Sequence, residues 1–219
     1  MTLRLVATSD THSPVDPKTI PDGDVFVHAG DIMTTGYLDE WRWAVEWLSQ
    51  LPHKVKIFVP GNHDFHLQVY PGPALQDLRR AGVTVIGLPG NSNYSSALLP
   101  NGQRLLGLPY VIDLPRWAFN IEEGVLDGEL RKLEWQHNYD IVVSHSPIHG
   151  ILDTSLRDNK PAGIRVYRGF CERVRPKVWI HGHIHEGFGQ AEFGSTKVYN
   201  VAMSDRAEKH ANNAVVIDL

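Results

Sequence analysis

The hydrophobic positions of this chain form short apolar runs that alternate with segments of helical periodicity. Leu3–Thr8 is a largely apolar run of the kind that forms a strand buried on both faces. Tyr37–Leu51 is the clearest helix, because its apolar residues recur at spacings of three and four and define one face. Trp41 and Trp47 are therefore expected in the core, where that face packs.

Further elements follow from the same pattern and from the turn residues between them. Strands are predicted over 24–28, 54–59, 83–86, 140–143, 178–180, 197–201 and 214–217, and helices over 73–81, 126–135 and 164–174. Region 91–110 alternates short apolar runs with Gly, Pro and Asn, which is typical of antiparallel β-structure. The polar stretch 153–163 is predicted to be a surface loop near the functional site.

The order of these elements predicts an α/β fold. Strands and helices alternate in the first part and β-structure dominates the end, which favours a layered domain with mixed sheets. A length of 219 residues fits one domain spanning residues 1–219.

Composition narrows the classes of function. The chain is 42% hydrophobic and 21% charged, as a folded globular protein should be. Its net charge of -4 disfavours binding to polymeric nucleic acid, and we interpret Arg173, Arg175 and Lys177 as a solvated helix end. The one cysteine, Cys171, excludes an intrachain disulfide and a thiolate zinc site, and it is expected to be buried. No apolar leader or membrane-length run is found, so a cytoplasmic protein without membrane association is predicted.

Five predicted strands are each followed by residues that bind metals. The five runs are Asp10-Thr11-His12, Gly30-Asp31, Gly61-Asn62-His63-Asp64, Ser144-His145-Ser146 and His181-Gly182-His183-Ile184-His185. Residues two apart in extended chain point to the same side, which pairs Asp10 with His12 and His183 with His185. Because loops at strand ends are rigidly supported, we predict one metal centre at one edge of a sheet.

The donor atoms in these runs are oxygen and nitrogen, which suit Mn, Fe, Zn, Co or Ni. Two carboxylates, one amide and four imidazoles are too many ligands for one ion, and they fit two ions about 3.5–4 Å apart that share one carboxylate. Two divalent ions, the carboxylates of Asp10 and Asp31, and a bridging hydroxide together leave one net positive charge. That charge favours a phosphodiester monoanion as substrate.

The five runs, in this order, resemble the signature motifs of the calcineurin-like metallophosphoesterase superfamily. Residues 183–189 and 198–201 are similar to the compact branch of metallophosphoesterase-domain proteins, which resemble cyclic nucleotide phosphodiesterases. The resemblance implies a four-layer α-β-β-α sandwich of two packed mixed sheets flanked by helices. One block departs from the pattern: Ser144-His145-Ser146-Pro147-Ile148 stands where relatives often have Gly or Thr, His, any residue and two prolines, so the pocket wall beside His145 is expected to differ.

The resemblance also implies a role for each motif residue. One ion would be held by Asp10, His12 and His185, the other by Asn62, His145 and His183, with Asp31 bridging the two. The catalytic set would be His63, Asp31 and Asp64. His63 would face the phosphate, where it would stabilise transition-state charge or protonate the leaving oxygen, a task that suits imidazole groups in general. Asp64 would orient His63 or its loop, and Mn or Fe is favoured as the metal.

The resulting hypothesis is a dinuclear-metal-dependent phosphodiesterase that hydrolyses small phosphodiesters such as cyclic nucleotides by attack of a metal-bound hydroxide. The alternatives are a phosphomonoesterase acting on nucleotides or phosphoproteins, a nuclease, and an inactive scaffold stabilised by metal. A homodimer is left open, because Trp117 and Phe119 fit either a dimer surface or the core.

Histidines outside the ligand set are assigned from their neighbours in sequence. His28 and His181 are expected to support the ligands or to pack in the core, whereas His66 and His149 are left between lining the pocket and facing solvent. The histidines expected at the surface are His53, His137 and His210. Asn159 and Arg165 are left open as substrate contacts.

Overall fold

Two β-sheets packed face to face, with helices on their outer faces, make up the computed structural model, which describes residues 2–88, 95–135 and 138–219. In chain order the strands are β1 (Arg4–Thr8), β2 (Val25–His28), β3 (Val55–Phe58), β4 (Val83–Val85), β5 (Ser96–Leu98), β6 (Arg104–Leu108), β7 (Ile141–Ser144), β8 (Thr154–Ser155), β9 (Lys160–Pro161), β10 (Val178–His181), β11 (Gly189–Phe193), β12 (Thr196–Asn200) and β13 (Val215–Asp218). The helices are α1 (Leu38–Gln50), α2 (Phe65–Val69), α3 (Pro71–Arg80), α4 (Glu123–Glu134) and α5 (Arg165–Val174).

Both large sheets are mixed. The first has the order β13-β1-β2-β3-β4, in which β1 to β4 run parallel and β13 pairs antiparallel with β1. The second has the order β11-β12-β10-β7-β6-β5, in which the four central strands are parallel and both edge strands are antiparallel. The parallel strands of each sheet therefore end at one common edge.

Alternation along the strands divides the core into three layers. Leu5 and Ala7 of β1 pack between the sheets against strands of the second sheet, whereas Val6 points outward and packs with the helical residue Trp41. On the outer face of the second sheet, Trp179 packs against Tyr167 of α5. The arrangement is the predicted four-layer α-β-β-α sandwich, and Trp41 and Trp47 lie in the core as expected.

Several elements were missed or shifted. The stretch 153–163, predicted to be a loop, contains the β8–β9 hairpin, and the helix α2 and the edge strand β11 were not predicted at all. α2 has only five residues, which is too short to show a helical period, and β11 alternates half-buried and exposed residues that are mostly small or polar. The predicted antiparallel pair is β5–β6, while residues 91–94 of that region lie outside the described residues.

Candidate metal centre

The predicted ligands meet where the parallel strands of both sheets end. Asp10 follows β1, Asp31 follows β2, and Asn62 follows β3 in the first sheet. His145 follows β7 and His183 follows β10 in the second. Each sheet therefore supplies part of one cluster, as the carboxyl ends of parallel strands in layered α/β folds commonly do.

The backbone of this cluster adopts an unusual conformation. Asp10, His12, Asp31 and His183 have φ angles of 50°, 52°, 56° and 67°, in the left-handed region that residues other than glycine rarely occupy. Such conformations cost free energy and persist only where the surrounding structure imposes them. Their concentration in the predicted ligand residues marks this edge as a functional site.

Two glycines allow the loops to approach each other closely. A Cβ atom on Gly182 would collide with the Asp10 carboxylate and the Ser9 hydroxyl. A Cβ atom on Gly61 would collide with the Asp31 carboxylate and the His145 ring. Only glycine fits at either position, so these residues serve the packing of the ligands.

Three histidines are oriented by backbone carbonyl groups. The Nδ1 atoms of His12, His145 and His185 lie 3.0, 2.9 and 2.8 Å from the carbonyl oxygens of Met33, Ala29 and Asp205. A carbonyl oxygen only accepts, so each Nδ1 must carry the proton that it donates. The Nε2 atom of each ring is then left as the metal ligand, as in many histidine sites of metalloproteins.

The Nε2 atoms face other acceptors. Nε2 of His12 lies 3.3 Å from Nε2 of His185, so two nitrogen lone pairs would point at each other if both rings were neutral. Nε2 of His145 lies 2.9 Å from Oδ1 of Asn62 and 3.2 Å from Oδ2 of Asp31. Such contacts repel unless a proton or a cation lies between the atoms. The donor set therefore fits metal ions at two positions.

The ligand atoms form the groups that two ions would need. Those of Asp10, His12 and His185 lie within 4.8 Å of one another. The same limit holds for Asp31, His145 and His183, and for the trio of His12, Asp31 and His63. The structure thus brings together all seven predicted metal ligands, with Asn62 joined through His145.

Charge in the cluster is shared between carboxylates and imidazoles. Burial disfavours ionisation of Asp10 and Asp31, but the neighbouring histidines outweigh it and hold the pKa of both carboxyl groups well below the usual range. Burial also opposes the protonation of His145 and His185, but the carboxylates raise the pKa of both to about 9. Without metal, the repelling contacts of these two rings are therefore relieved by protons, which an ion must displace.

His63 and Asp64 have different surroundings. His63 donates from Nδ1 to the Thr34 carbonyl, and its Nε2 lies 3.9 Å from Oδ2 of Asp31. The buried Asp64 carboxylate accepts from the backbone N–H groups of Gly61, Asp31, Ile32 and Met33, at 2.6, 2.9, 3.1 and 3.4 Å.

Burial and the nearby charge of Asp31 raise the pKa of Asp64 to about 7, whereas the four donors favour its ionised form. These contacts join the Asp31 loop to the His63 loop. Through them Asp64 would orient a loop, which stays a prediction, and among the described contacts none joins it to the His63 ring.

The other histidines lie outside the ligand cluster. His28 is buried in β2, and its Nε2 lies 3.2 Å from the hydroxyl oxygen of Thr11. His181 is buried in β10. His66 is buried and stacks on Trp41, with ring centroids 5.0 Å apart, so it neither lines the cluster nor faces solvent. His149 is half-buried, and its backbone pairs with Ile164.

One surface assignment was wrong. His53 is buried, because its Nε2 bonds the Pro21 carbonyl at 3.0 Å and its ring packs on Phe26. His210 is exposed as expected, while His137 lies outside the described residues. Asn159 and Arg165 are exposed, and in the described part of the chain no contact joins them to the cluster. Cys171 is buried, as predicted.

Several contributors were missed by sequence reasoning. Ser9 donates from its hydroxyl to Oδ2 of Asp10 at 2.5 Å, and His183 donates its backbone N–H to the same carboxylate at 3.0 Å. The position of Ser9 beside Asp10 was an available signal. The orienting carbonyls had no such signal, because any residue type carries one. Trp117, half-exposed, lies against His63, whereas Phe119 is in the core.

With the geometry established, comparison with known proteins identifies the family. The model of the calcineurin-like phosphoesterase family matches residues 3–187. The chain belongs to this family. Membership makes it a metal-dependent phosphoester hydrolase with a dinuclear centre, for which the clusters above supply candidate ligands.

Relatives of known sequence cover almost the whole chain. Metallophosphoesterase domain-containing protein 1 of Homo sapiens is 32% identical over 99% of this chain and 71% of its own length. A UPF0046 protein of Caenorhabditis elegans is 28% identical over 99% of this chain and 81% of its own length.

Solved structures support the fold. The protein TT1561 of Thermus thermophilus superposes with a TM-score of 0.65 at 15% identity, covering 100% of this chain and 99% of that one. A second solved structure reaches a TM-score of 0.74 at 16% identity, with the same coverage of both chains. At these identities the likeness concerns the fold alone.

Proposed function

We propose that this protein is a phosphodiesterase that hydrolyses small phosphodiesters, such as cyclic nucleotides, at a dinuclear metal centre. The observation that carries the proposal is the pair of facing Nε2 atoms on His12 and His185, whose Nδ1 protons are committed to carbonyls. This geometry suits a bound cation better than a merely structural histidine pair.

The proposed ligands divide between two ions. One ion would be held by Asp10, His12 and His185, the other by Asn62, His145 and His183, with Asp31 between them. When bound, the ions would supply a water of lowered pKa as the nucleophile and would neutralise charge on the phosphoryl group. We propose Mn or Fe as the native metal.

His63 would act on the leaving group. Its Nδ1 proton is donated to the Thr34 carbonyl, which fixes the ring and leaves Nε2 directed toward Asp31. From there Nε2 would give a proton to the departing oxygen when the ring carries a second proton, or the ring would stabilise charge in the transition state. Asp64 would contribute by holding the Asp31 and His63 loops together.

The charge balance supports a diester over a monoester. In the described structure, Asp10 and Asp31 have histidines and backbone or hydroxyl groups as partners, and no lysine or arginine contacts either carboxylate. A phosphomonoester dianion would need a further cation. With His63 counted as neutral, a diester monoanion matches the single net positive charge that two divalent ions leave after the carboxylates and a hydroxide.

A nuclease is disfavoured by the pairing of the basic residues near the end of α5. Arg173 lies 2.6 Å from Glu134 and Lys177 lies 3.1 Å from Asp140, so two of the three basic residues there already have acidic partners, while Arg175 donates to the Glu172 carbonyl. No helix among the described residues is long and apolar enough to cross a membrane. A cytoplasmic location, a single domain over residues 1–219 and a homodimer stay predictions.

The test compares two substrates that share a leaving group. We expect kcat/KM with Mn²⁺ to be clearly higher for bis(p-nitrophenyl) phosphate than for p-nitrophenyl phosphate, and to vanish when the metal is chelated. Preference for the monoester would assign a phosphatase instead. Absence of turnover on both esters, with metal bound, would favour a metal-stabilised scaffold.

A further inference from the structure

Trp117 is a large aromatic residue at the rim of the proposed site. Its indole centroid lies 4.4 Å from the centroid of His63, at an interplanar angle of 47°, and the His63 ring in turn contacts His12 at 4.7 Å. The residue nevertheless keeps 38% of its surface exposed to solvent. One ring of His63 thus separates this indole from a proposed metal ligand.

The loop that carries Trp117 is fixed to the site by its backbone. The N–H of Ala118 donates to the carbonyl of Asn62 at 3.1 Å, and the N–H of Phe119 donates to the Gln68 side chain at 2.5 Å. The Phe119 side chain is buried in the core. Because the two residues that follow it are held in this way, Trp117 is presented at a set position beside the metal loops.

We propose that Trp117 determines specificity by stacking on a planar ring in the substrate, a nucleobase or an aryl group, on the side from which the leaving group departs. This inference rests on the proposed function of His63, since the group that His63 protonates must lie next to the indole. The part of the indole that is exposed to solvent, beyond its ring contacts with His63 and Phe65, gives a stacking surface that tolerates different rings. Phosphate esters that carry such a ring are therefore bound more tightly than aliphatic ones.

Binding measured by calorimetry on the Mn²⁺-loaded protein tests the inference separately from turnover. The probes are AMP, ribose 5-phosphate and phenyl phosphate, which share a phosphate and differ in the ring. Trp117→Ala should weaken the binding of AMP about tenfold, near the lower part of the range for a base stacked on an aromatic side chain. The affinity for ribose 5-phosphate should stay unchanged. Trp117→Phe should keep most of the affinity. Trp135→Ala removes a tryptophan that is 90% exposed, and it should change the affinity for neither ligand.

The outcomes separate the alternatives. An equal loss for AMP and ribose 5-phosphate would mean that Trp117 only supports the metal loops, and unchanged AMP binding in Trp117→Ala would also overturn the inference. Weakening of phenyl phosphate together with AMP would extend the preference to any planar ring, and weakening of AMP alone would restrict it to nucleobases. Failure of the wild type to hydrolyse diesters would refute the diesterase proposal and leave these binding results standing.

Discussion

At the scale of single residues, substitution of His63 distinguishes a role in catalysis from a role in metal binding. His63 lies beside the ligands, but its Nδ1 is committed to Thr34, and its role is proposed to be in proton transfer. His63→Ala should therefore lower kcat by about 10²–10⁴-fold, the usual contribution of a general acid, while the bound metal stays constant. Steady-state kinetics and elemental analysis on the same preparation check this.

His149→Ala is the matched control for that variant, because His149 is half-buried and has no described contact with the cluster. It should retain wild-type kcat. Full activity of His63→Ala would remove His63 from the mechanism, and loss of metal in that variant would make it a ligand.

A substitution of Gly182, also a single residue, tests the close approach of the loops from the two sheets. Gly182→Ala forces its Cβ against Asp10 and Ser9, so we expect metal affinity to fall by about 10–100-fold, as when a group supporting a ligand is lost. Gly124→Ala is the control, because no atom lies within 4 Å of the new Cβ and the residue is in helix α4. Equal metal affinity in both variants, measured by titration, would argue against the packing proposed here.

At the scale of secondary structure elements, a lysine on β3 caps the end of helix α1. Lys56 is buried, and its Nζ donates to the carbonyls of Leu48 at 2.9 Å and of Ser49 and Leu51 at 3.5 Å. Lys56→Met leaves these carbonyls without a donor, and should lower the free energy of unfolding by about 1–3 kcal/mol. Denaturant titration measures the effect.

The same substitution at Lys54 provides the comparison, since that side chain is exposed. Lys54→Met should change the stability little, and activity per folded molecule should be the same in both variants. A similar stability for the two variants would show that the capping contacts contribute nothing measurable.

Elements with a strong local pattern could be predicted, and those defined by tertiary contacts could not. The β1 run and the α1 periodicity predicted their elements to within about a residue, because burial on both faces or on one face leaves a direct trace in the sequence. α2 and β11 left no such trace, and the β8–β9 hairpin has strands of only two residues.

The candidate site likewise contains some residues whose position could be predicted from the sequence and others whose position could not. The clustering of the proposed ligands was predictable because each of the runs that carry them directly follows a strand, while their binding of metal stays a prediction. His53 was assigned to the surface because its partner, the Pro21 carbonyl, is distant in the sequence. The position of Trp117 beside His63 depends on how a loop docks on Asn62, and no local pattern encodes that contact.

At the scale of the whole molecule, the metals would connect the two sheets. Asp10 and Asp31 come from the first sheet and His145 and His183 from the second, so bound ions would act on the interface between them. Free metal at a hundredfold excess over its Kd adds about 2.7 kcal/mol of stability. Chelation should then lower Tm by roughly 5–10 °C, and Mn²⁺ should restore it. If calorimetry gives the same Tm for the metal-loaded, the chelated and the Mn²⁺-restored protein, this expectation is wrong.

The left-handed backbone at Asp10, His12, Asp31 and His183 also bears on how this centre can evolve. A glycine at any of these positions would adopt the left-handed conformation without steric strain. The substitutions that remove the most backbone strain are therefore the ones that remove a proposed ligand. In the metal-free protein, substitutions that stabilise the fold are therefore also substitutions that abolish the activity. Lineages released from selection for hydrolysis are expected to decay first at these residues, while the rest of the sandwich persists as a stable, inactive shell.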